Sequence, residues 1–172
     1  MDIQVQKIKQ VLSNDEQSYD LLVNSSLKNF RVIISSIKKH SSQVEAFCNV
    51  SSSQLWVLWE LHQSPGLKVS ELASKLSIHQ STASNLIEKL VKRALINKQR
   101  DDFDQRVVRL YLTPAGLEVV LKAPSSPRGI LRDALDHLSA ENLLLLQQSL
   151  ATLMAQIKLK DEADALTPLA DI

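Results

Sequence analysis

The 172-residue sequence contains little of the material that sheets and catalytic loops require: three glycines, one cysteine and 4% aromatic residues. Barrels and sandwiches need many tight turns and strand-forming side chains, so we expect a mainly α-helical fold with a small β component. The single cysteine, Cys48, excludes an internal disulfide framework and multi-cysteine zinc sites. No glycine-rich phosphate loop or nucleophile motif occurs, so we expect neither an enzyme nor a cofactor.

Long apolar runs are also missing. No stretch approaches the roughly 20 apolar residues of a membrane span, and charges are scattered through the N-terminal MDIQVQKIKQ, unlike a secretory signal. We therefore expect a cytoplasmic protein without a membrane partner. The four histidines, His40, His62, His79 and His137, lack the spacing of metal ligands, so no metal site is expected.

The net charge of +1 hides an uneven distribution. From Lys75 to Arg109 there are eight Lys or Arg and four Asp or Glu, a balance of 8 − 4 = +4, which leaves 1 − 4 = −3 for the remaining residues. Positive charge concentrated in one short stretch is expected of a surface that binds a polyanion.

Apolar periodicity and turn signals predict a helix, a tight turn, a second helix and a two-stranded hairpin in the middle of the chain. This order is the plan of a winged helix-turn-helix, in which one helix enters the major groove of DNA. The predicted elements are helices at 54–63, 71–76 and 80–93 and strands at 96–99 and 107–112. The predicted N-caps are the serines of 51–53, Ser70, Thr113 and Ser139.

The flanking segments carry apolar stripes that a small domain does not need. They predict a helix at 15–39 that continues after a bend as 40–50, and C-terminal helices at 128–138 and 140–160. Stripes of that length on a monomer would be exposed and usually mark an interface, so we expect a homodimer. The expected organisation is dimerisation helices at 1–50, a DNA-binding domain at 51–122, further dimerisation helices at 123–160 and a flexible tail at 161–172.

The helix at 80–93 leaves polar side chains outward at its start. Asn and Gln can pair with adenine through two hydrogen bonds, and hydroxyl groups bind phosphate oxygens. We expect DNA contacts from Gln80, Ser81, Ser84 and Asn85, with Lys89 and Lys92 on phosphates. The alternative is that these residues are the solvated face of an amphipathic helix.

The hairpin loop supplies Arg100 and Arg106, and a basic side chain on a thin loop can enter the minor groove. Arg106 is the principal candidate. Three nearby aspartates would repel phosphates, so we expect one of them to pair with an arginine and brace the loop, with Asp104 the first candidate. The alternative is a surface ion pair with no function.

These residues together resemble the MarR family of bacterial regulators. The resemblance covers Val69 to Gly116 and has three parts: LAxxL, STxSxLIxxLxxxxLI, and a wing ending in Asp-x-Arg before LTPAG. It implies that Thr82 joins the other recognition-helix residues, that Asp104 holds Arg106, and that a dimer binds a pseudo-palindromic operator in double-stranded DNA, usually as a repressor. This sequence departs from the family pattern at two positions: it has Ala94 where the family usually has glycine, and Gln105 where arginine is common.

The resemblance also implies a small aromatic effector or a cysteine-based signal. Trp56, Trp59 and His62 lie on the helix that joins the two expected regions and are candidates for an effector pocket, although tryptophans at helical spacing are often core residues. Cys48 is the candidate for thiol oxidation, but apolar neighbours would bury it and blunt its reactivity. A winged helix that binds protein rather than DNA remains the alternative function, and salt-sensitive DNA binding would exclude it.

Overall fold

The computed structural model describes residues 16–157 and 165–168. Within them the fold is mainly helical with one two-stranded antiparallel sheet, which confirms the expected fold class. The elements are α1 (Glu16–Cys48), α2 (Ser52–Gln63), α3 (Val69–Leu76), α4 (Gln80–Lys92), β1 (Ile96–Arg100), β2 (Val108–Leu112), α5 (Pro114–Lys122), α6 (Ile130–Asp136) and α7 (Ala140–Gln156). No helix of this described part is long and apolar enough to cross a membrane.

The first helix differs from the expectation of two segments joined by a bend. It runs without interruption to Cys48, because the segment after Lys39 contains neither proline nor glycine to break it. Asn49 ends it in the left-handed conformation, with φ 54°. The chain divides into two units, Met1–Ser36 and Ile37–Ile172. In the first unit α1 exposes many large apolar side chains: Tyr19, Leu21, Leu22, Val23, Leu27, Phe30, Val32, Ile33 and Ile34.

The hydrophobic core lies in the second unit. Side chains from the helices meet one residue from each strand, and all are almost completely buried. The largest are Leu55, Leu58 and Leu61 of α2, Leu72 of α3, Ile87 and Leu90 of α4, Ile96 of β1 and Leu110 of β2. Burial of one face of α4 fixes its orientation, so the opposite face must point outward.

Helix boundaries follow from local hydrogen bonds. The side chain of Ser51 accepts from the N–H of Gln54, and Thr113 and Ser139 cap α5 and α7, as predicted. The prediction that Ser70 caps α3 is wrong: the helix begins at Val69, because the Glu71 carboxylate accepts the Lys68 N–H at 2.8 Å. The C-terminal helices also differ from the predicted bounds: they cover Ile130–Asp136 and Ala140–Gln156, and positions 158–160 of the prediction lie outside the described residues.

The turn from α4 into β1 passes through Ala94, which has φ 55°. The Ala94 N–H donates to Val91 O and the Leu95 N–H to Leu90 O, both at 2.9 Å. This is the Schellman arrangement that usually places glycine at the left-handed position. The departure noted in the sequence therefore leaves alanine in a conformation that strains L-residues.

Candidate nucleic-acid interface

The helices α3 and α4, with the turn between them, form the helix-turn-helix. Ser77 ends α3 in the left-handed conformation, with φ 55°, and Ile78 is buried in the turn. The chain then enters α4 at His79, whose side chain makes no capping hydrogen bond. The first N–H groups of α4 are therefore left to other acceptors, and such groups bind phosphate oxygens readily.

The outer face of α4 carries the polar residues that were singled out from the sequence. Gln80, Ser81 and Asn85 are exposed, whereas Thr82 and Ser84 are half-buried. Lys89 and Lys92 lie exposed further along the same helix. Burial of Ala83, Leu86, Ile87 and Leu90 behind them holds this face in place. The polar side chains of this face form no hydrogen bond with another residue of the described ranges, so their donors and acceptors are available to a partner.

The hairpin next to α4 pairs Ile96 with Leu112 and Arg100 with Val108. Its loop exposes Arg106, and Arg100 is exposed at the end of β1. Asp104 contacts Arg106 differently from the expectation: its carboxylate accepts the backbone N–H of Arg106 at 3.0 Å, and it forms no ion pair with the guanidinium. The Arg106 side chain is left available at the surface.

The ion pair of the wing joins Asp101 and Arg109 instead. Bonding to the Arg109 guanidinium and to backbone N–H groups of the loop holds the pKa of Asp101 below its ordinary value, and the same contact raises the pKa of Arg109. Asp101 is one of the three aspartates for which the sequence predicts such a pair, although Asp104 is the first candidate there, and Arg109 is not identified as the partner. The signal that could have found them is the hairpin register, because Asp101 opposes position 107 and Arg109 is then a diagonal neighbour across the strands.

Of the eight basic residues between Lys75 and Arg109, three form ion pairs. Lys75 pairs with Glu60 at 3.4 Å, Lys98 pairs with Glu88, and Arg109 pairs with Asp101. Bonding to Lys98 lowers the pKa of Glu88. Five basic side chains of the stretch form no ion pair with any described residue: Lys89, Lys92, Arg93, Arg100 and Arg106. Positive charge therefore concentrates at α4 and the wing.

A separate cavity of about 250 Å³ lies in the second unit. Trp56 lines it, together with the apolar side chains Ile37, Ile78, Leu131 and Leu135. Trp59 and His62 do not line this cavity, and their rings lie 5.9 Å apart elsewhere on α2. The indole N–H of Trp56 donates to Glu60 at 3.0 Å.

The polar part of the cavity wall includes Arg128 and Arg132. Both bond to Asp136, at 2.9 and 3.0 Å, and these contacts, chiefly with Arg132, lower the pKa of Asp136. Two guanidinium groups share one carboxylate, so the cluster keeps a net positive charge. Of the tail expected at 161–172, the structure describes residues 165–168, where Pro168 is buried and lines the cavity; the remainder lies outside the described residues.

Cys48 is buried, with 6% of its surface exposed, and desolvation raises the pKa of its thiol. A raised pKa reduces the thiolate fraction that reacts with oxidants. Among residues 16–157 and 165–168 there is no cluster of His, Cys, Asp or Glu that could hold a metal ion.

Comparison with known proteins finds similarity to one family over part of the chain. Residues 50–108 match the model of the MarR family. The uncharacterised HTH-type transcriptional regulator YsmB of Bacillus subtilis is 26% identical over 133 residues, which are 77% of this chain and 91% of YsmB. The HTH-type transcriptional repressor MdtR of the same organism is 26% identical over 128 residues, 74% of this chain and 83% of MdtR. The crystal structure of the S. aureus MepR–DNA complex is similar with a TM-score of 0.54 and 26% identity, covering 73% of this chain and 91% of MepR.

Proposed function

We propose that the chain is a winged-helix, DNA-binding transcriptional regulator of the MarR family, and that it binds a pseudo-palindromic operator as a homodimer and represses transcription. The observation that carries this proposal is the joint exposure of the polar face of α4 and the unpaired cations of α4 and the wing. The similar MepR structure is a complex with DNA, and MdtR is a repressor.

Each side chain of the interface has a distinct proposed role. Gln80 and Asn85 read base edges in the major groove, where their amides match adenine. The hydroxyl groups of Ser81, Thr82 and Ser84, with the uncapped N–H groups of α4, bind phosphates or base edges. Lys89, Lys92 and Arg100 bind phosphates. Arg106 enters the minor groove, where the negative potential favours a guanidinium.

Selection of bound duplexes from a random pool tests this function. A two-fold dimer places its recognition helices about 34–36 Å apart, so the enriched sequences should contain two inverted half-sites with centres about 10 base pairs apart. Recovery of no common sequence, or of a single half-site without a repeat, would contradict the proposal. Salt-independent retention on nonspecific DNA would favour a protein-binding module instead.

The proposed dimer rests on apolar faces at both ends of the chain. The exposed apolar residues of α1 lie within the region 1–50, and α7, within 123–160, exposes a second set: Leu143, Leu144, Leu145, Leu150, Leu153, Met154 and the adjoining Ile157. Exposure of so many large apolar side chains is typical of an interface rather than of a monomer in water. A second copy of the chain is the proposed partner for both faces.

We also propose that a small aromatic carboxylate acts as effector in the cavity lined by Trp56. Apolar walls suit an aromatic ring, and the net positive charge of Arg128 and Arg132 beside Asp136 suits a carboxylate. Binding there would shift the recognition helices and release DNA, because residues of α1, α2, α3 and α6 form the same wall.

Fluorescence separates the two tryptophans in a test of the effector site. The Trp59→Phe protein retains Trp56 in the cavity wall, and the matched Trp56→Phe protein retains the tryptophan outside it. Benzoate should quench the first protein and not the second, and should weaken operator binding, whereas neutral benzamide should do so less. Equal quenching of both proteins, or quenching without any effect on DNA binding, would contradict the proposal.

Two further expectations follow from the proposed function. A regulator of this kind acts on the bacterial chromosome without chemistry of its own, so we propose a cytoplasmic protein without enzymatic activity. Regulation by thiol oxidation at Cys48 is the weaker alternative to an effector, because the thiol is buried and its pKa is raised.

A further inference from the structure

The carboxylate of Asp101 organises the wing loop. One oxygen, Oδ1, accepts the backbone N–H groups of Phe103 at 3.0 Å and Asp104 at 3.3 Å, and the other, Oδ2, accepts from Arg109 Nε. The backbone N–H of Asp101 donates to Val107 O at 2.9 Å. Although it begins a surface loop, the Asp101 side chain is only 12% exposed. The loop is therefore folded around this one carboxylate.

Arg109 connects that loop to the body of the domain. Its Nη1 donates to the carbonyl oxygen of Gly66 at 3.1 Å, in the loop between α2 and α3. Two backbone bonds lie beside this contact, from Gly66 N–H to Leu110 O at 2.9 Å and from Leu110 N–H to Leu67 O at 3.1 Å. The planar guanidinium can bind a carboxylate and a carbonyl at once from fixed directions, which an ammonium group cannot reproduce.

We propose that Asp101 and Arg109 are positioning residues of the wing: they hold the loop so that Arg106 reaches DNA, and neither touches DNA. This inference rests on the proposed function, in which the wing contacts the minor groove. The guanidinium of Arg109 already donates hydrogen bonds to the Asp101 carboxylate and to Gly66 O. Asp101 would be repelled by phosphates if it faced them.

The sign of the effect separates positioning from electrostatics. Removing a negative charge near DNA strengthens binding if charge alone matters. Positioning predicts the opposite for Asp101→Ala, a loss of about tenfold, comparable to the loss of one good contact. Asp102→Ala is the matched control, because Asp102 is exposed, carries the same charge one residue away and makes no hydrogen bond through its side chain to a described residue. It should bind DNA as tightly as the wild type or more tightly.

Two further variants test how the pair acts. Arg109→Lys keeps the charge but loses the planar guanidinium that binds the carboxylate and the carbonyl at once. DNA binding should therefore weaken by a factor similar to that for Asp101→Ala. In an Arg106→Ala background, Asp101→Ala should cause little further loss, because the side chain that it positions is absent. Affinities would be measured by fluorescence anisotropy on the selected duplex, with circular dichroism to check that each protein is folded.

Each outcome has one meaning. If Arg106→Ala alone binds as the wild type does, the proposed wing contact is wrong and this inference falls with it. If Arg106→Ala weakens binding but Asp101→Ala and Arg109→Lys do not, the wing contact stands and the positioning role is refuted. Additive losses in the double variant would also refute it, because they would mean that Asp101 acts independently of Arg106.

Discussion

The salt dependence of operator binding follows from the cations that the interface leaves unpaired. Three of them in each protomer, Lys89, Lys92 and Arg100, have proposed phosphate contacts, which gives six in the proposed dimer. Each neutralised phosphate contributes about −0.9 to the slope of log K against log salt, so we expect a slope of about −5. Raising salt from about 50 to about 200 mM should weaken binding by about 10³-fold.

Substitution of Lys89 by alanine changes this slope in a predictable way. Two contacts per dimer disappear, so the slope should become shallower by about 2. Fluorescence anisotropy of a labelled operator over a salt series measures both slopes. Lys122→Ala is the matched control, because Lys122 is an exposed lysine on α5 outside the basic stretch, and its slope should equal that of the wild type. A wild-type slope shallower than about −2, or equal slopes for the Lys89 and Lys122 variants, would refute the assignment of phosphate contacts.

Three other perturbations test the dimer, the helix end and the thiol. Leu153→Glu on the exposed apolar face of α7 should shift the protein to monomers in static light scattering, whereas Gln148→Glu on the same helix should leave a dimer; a dimeric Leu153→Glu protein would contradict the α7 interface. Ala94→Gly should stabilise the protein by about 1 kcal/mol and raise Tm by about 2–4 °C, because glycine relieves the left-handed strain. Ala123→Gly, at φ −62°, should not stabilise it, and equal effects at both positions would refute the strain argument. Cys48→Ser should leave the response of DNA binding to peroxide unchanged, and loss of a peroxide response would support the redox alternative.

The sequence predicted the elements that depend on local periodicity. Helical spacing predicts six core-facing positions in this segment, and burial confirms four of them: Ala83, Leu86, Ile87 and Leu90. Val91 is half-buried, and Ala94 is exposed because it lies in the turn beyond the end of the helix. The polar face of the helix is then the remaining side. The cap at Thr113 was equally predictable, because the N–H group that it accepts belongs to Gly116, three residues along the chain.

The ion pair that holds the wing, between Asp101 and Arg109, could not be predicted from local periodicity. Three aspartates lie within four positions, and the one that reaches an arginine depends on the pairing of β1 with β2. Strands predicted at 96–99 and 107–112 differ from the observed bounds, Ile96–Arg100 and Val108–Leu112, by one residue at each loop-facing end. The pairing of Asp101 with Arg109 follows only once the strand register is known, and a register shift of one residue turns a strand side chain to the opposite face, so uncertain strand bounds did not identify the partner of Arg109.

The cavity shows the same limit for tertiary packing. Trp56 and Trp59 lie three residues apart on α2, so helical spacing puts them on neighbouring parts of one surface. Residues distant in the chain, such as His40 and Arg128, line the same cavity as Trp56, whereas Trp59 lies outside it. Periodicity contains no information on which distant segment covers which side of a helix.

The affinity of the Asn85→Ala/Arg106→Ala double variant for the selected duplex tests the central claim most directly. In the proposed interface one side chain reads the major groove and the other enters the minor groove, so their joint loss should weaken binding by about 100-fold or more while the circular dichroism spectrum stays unchanged. A folded double variant that binds the duplex as tightly as the wild type would contradict the proposed interface.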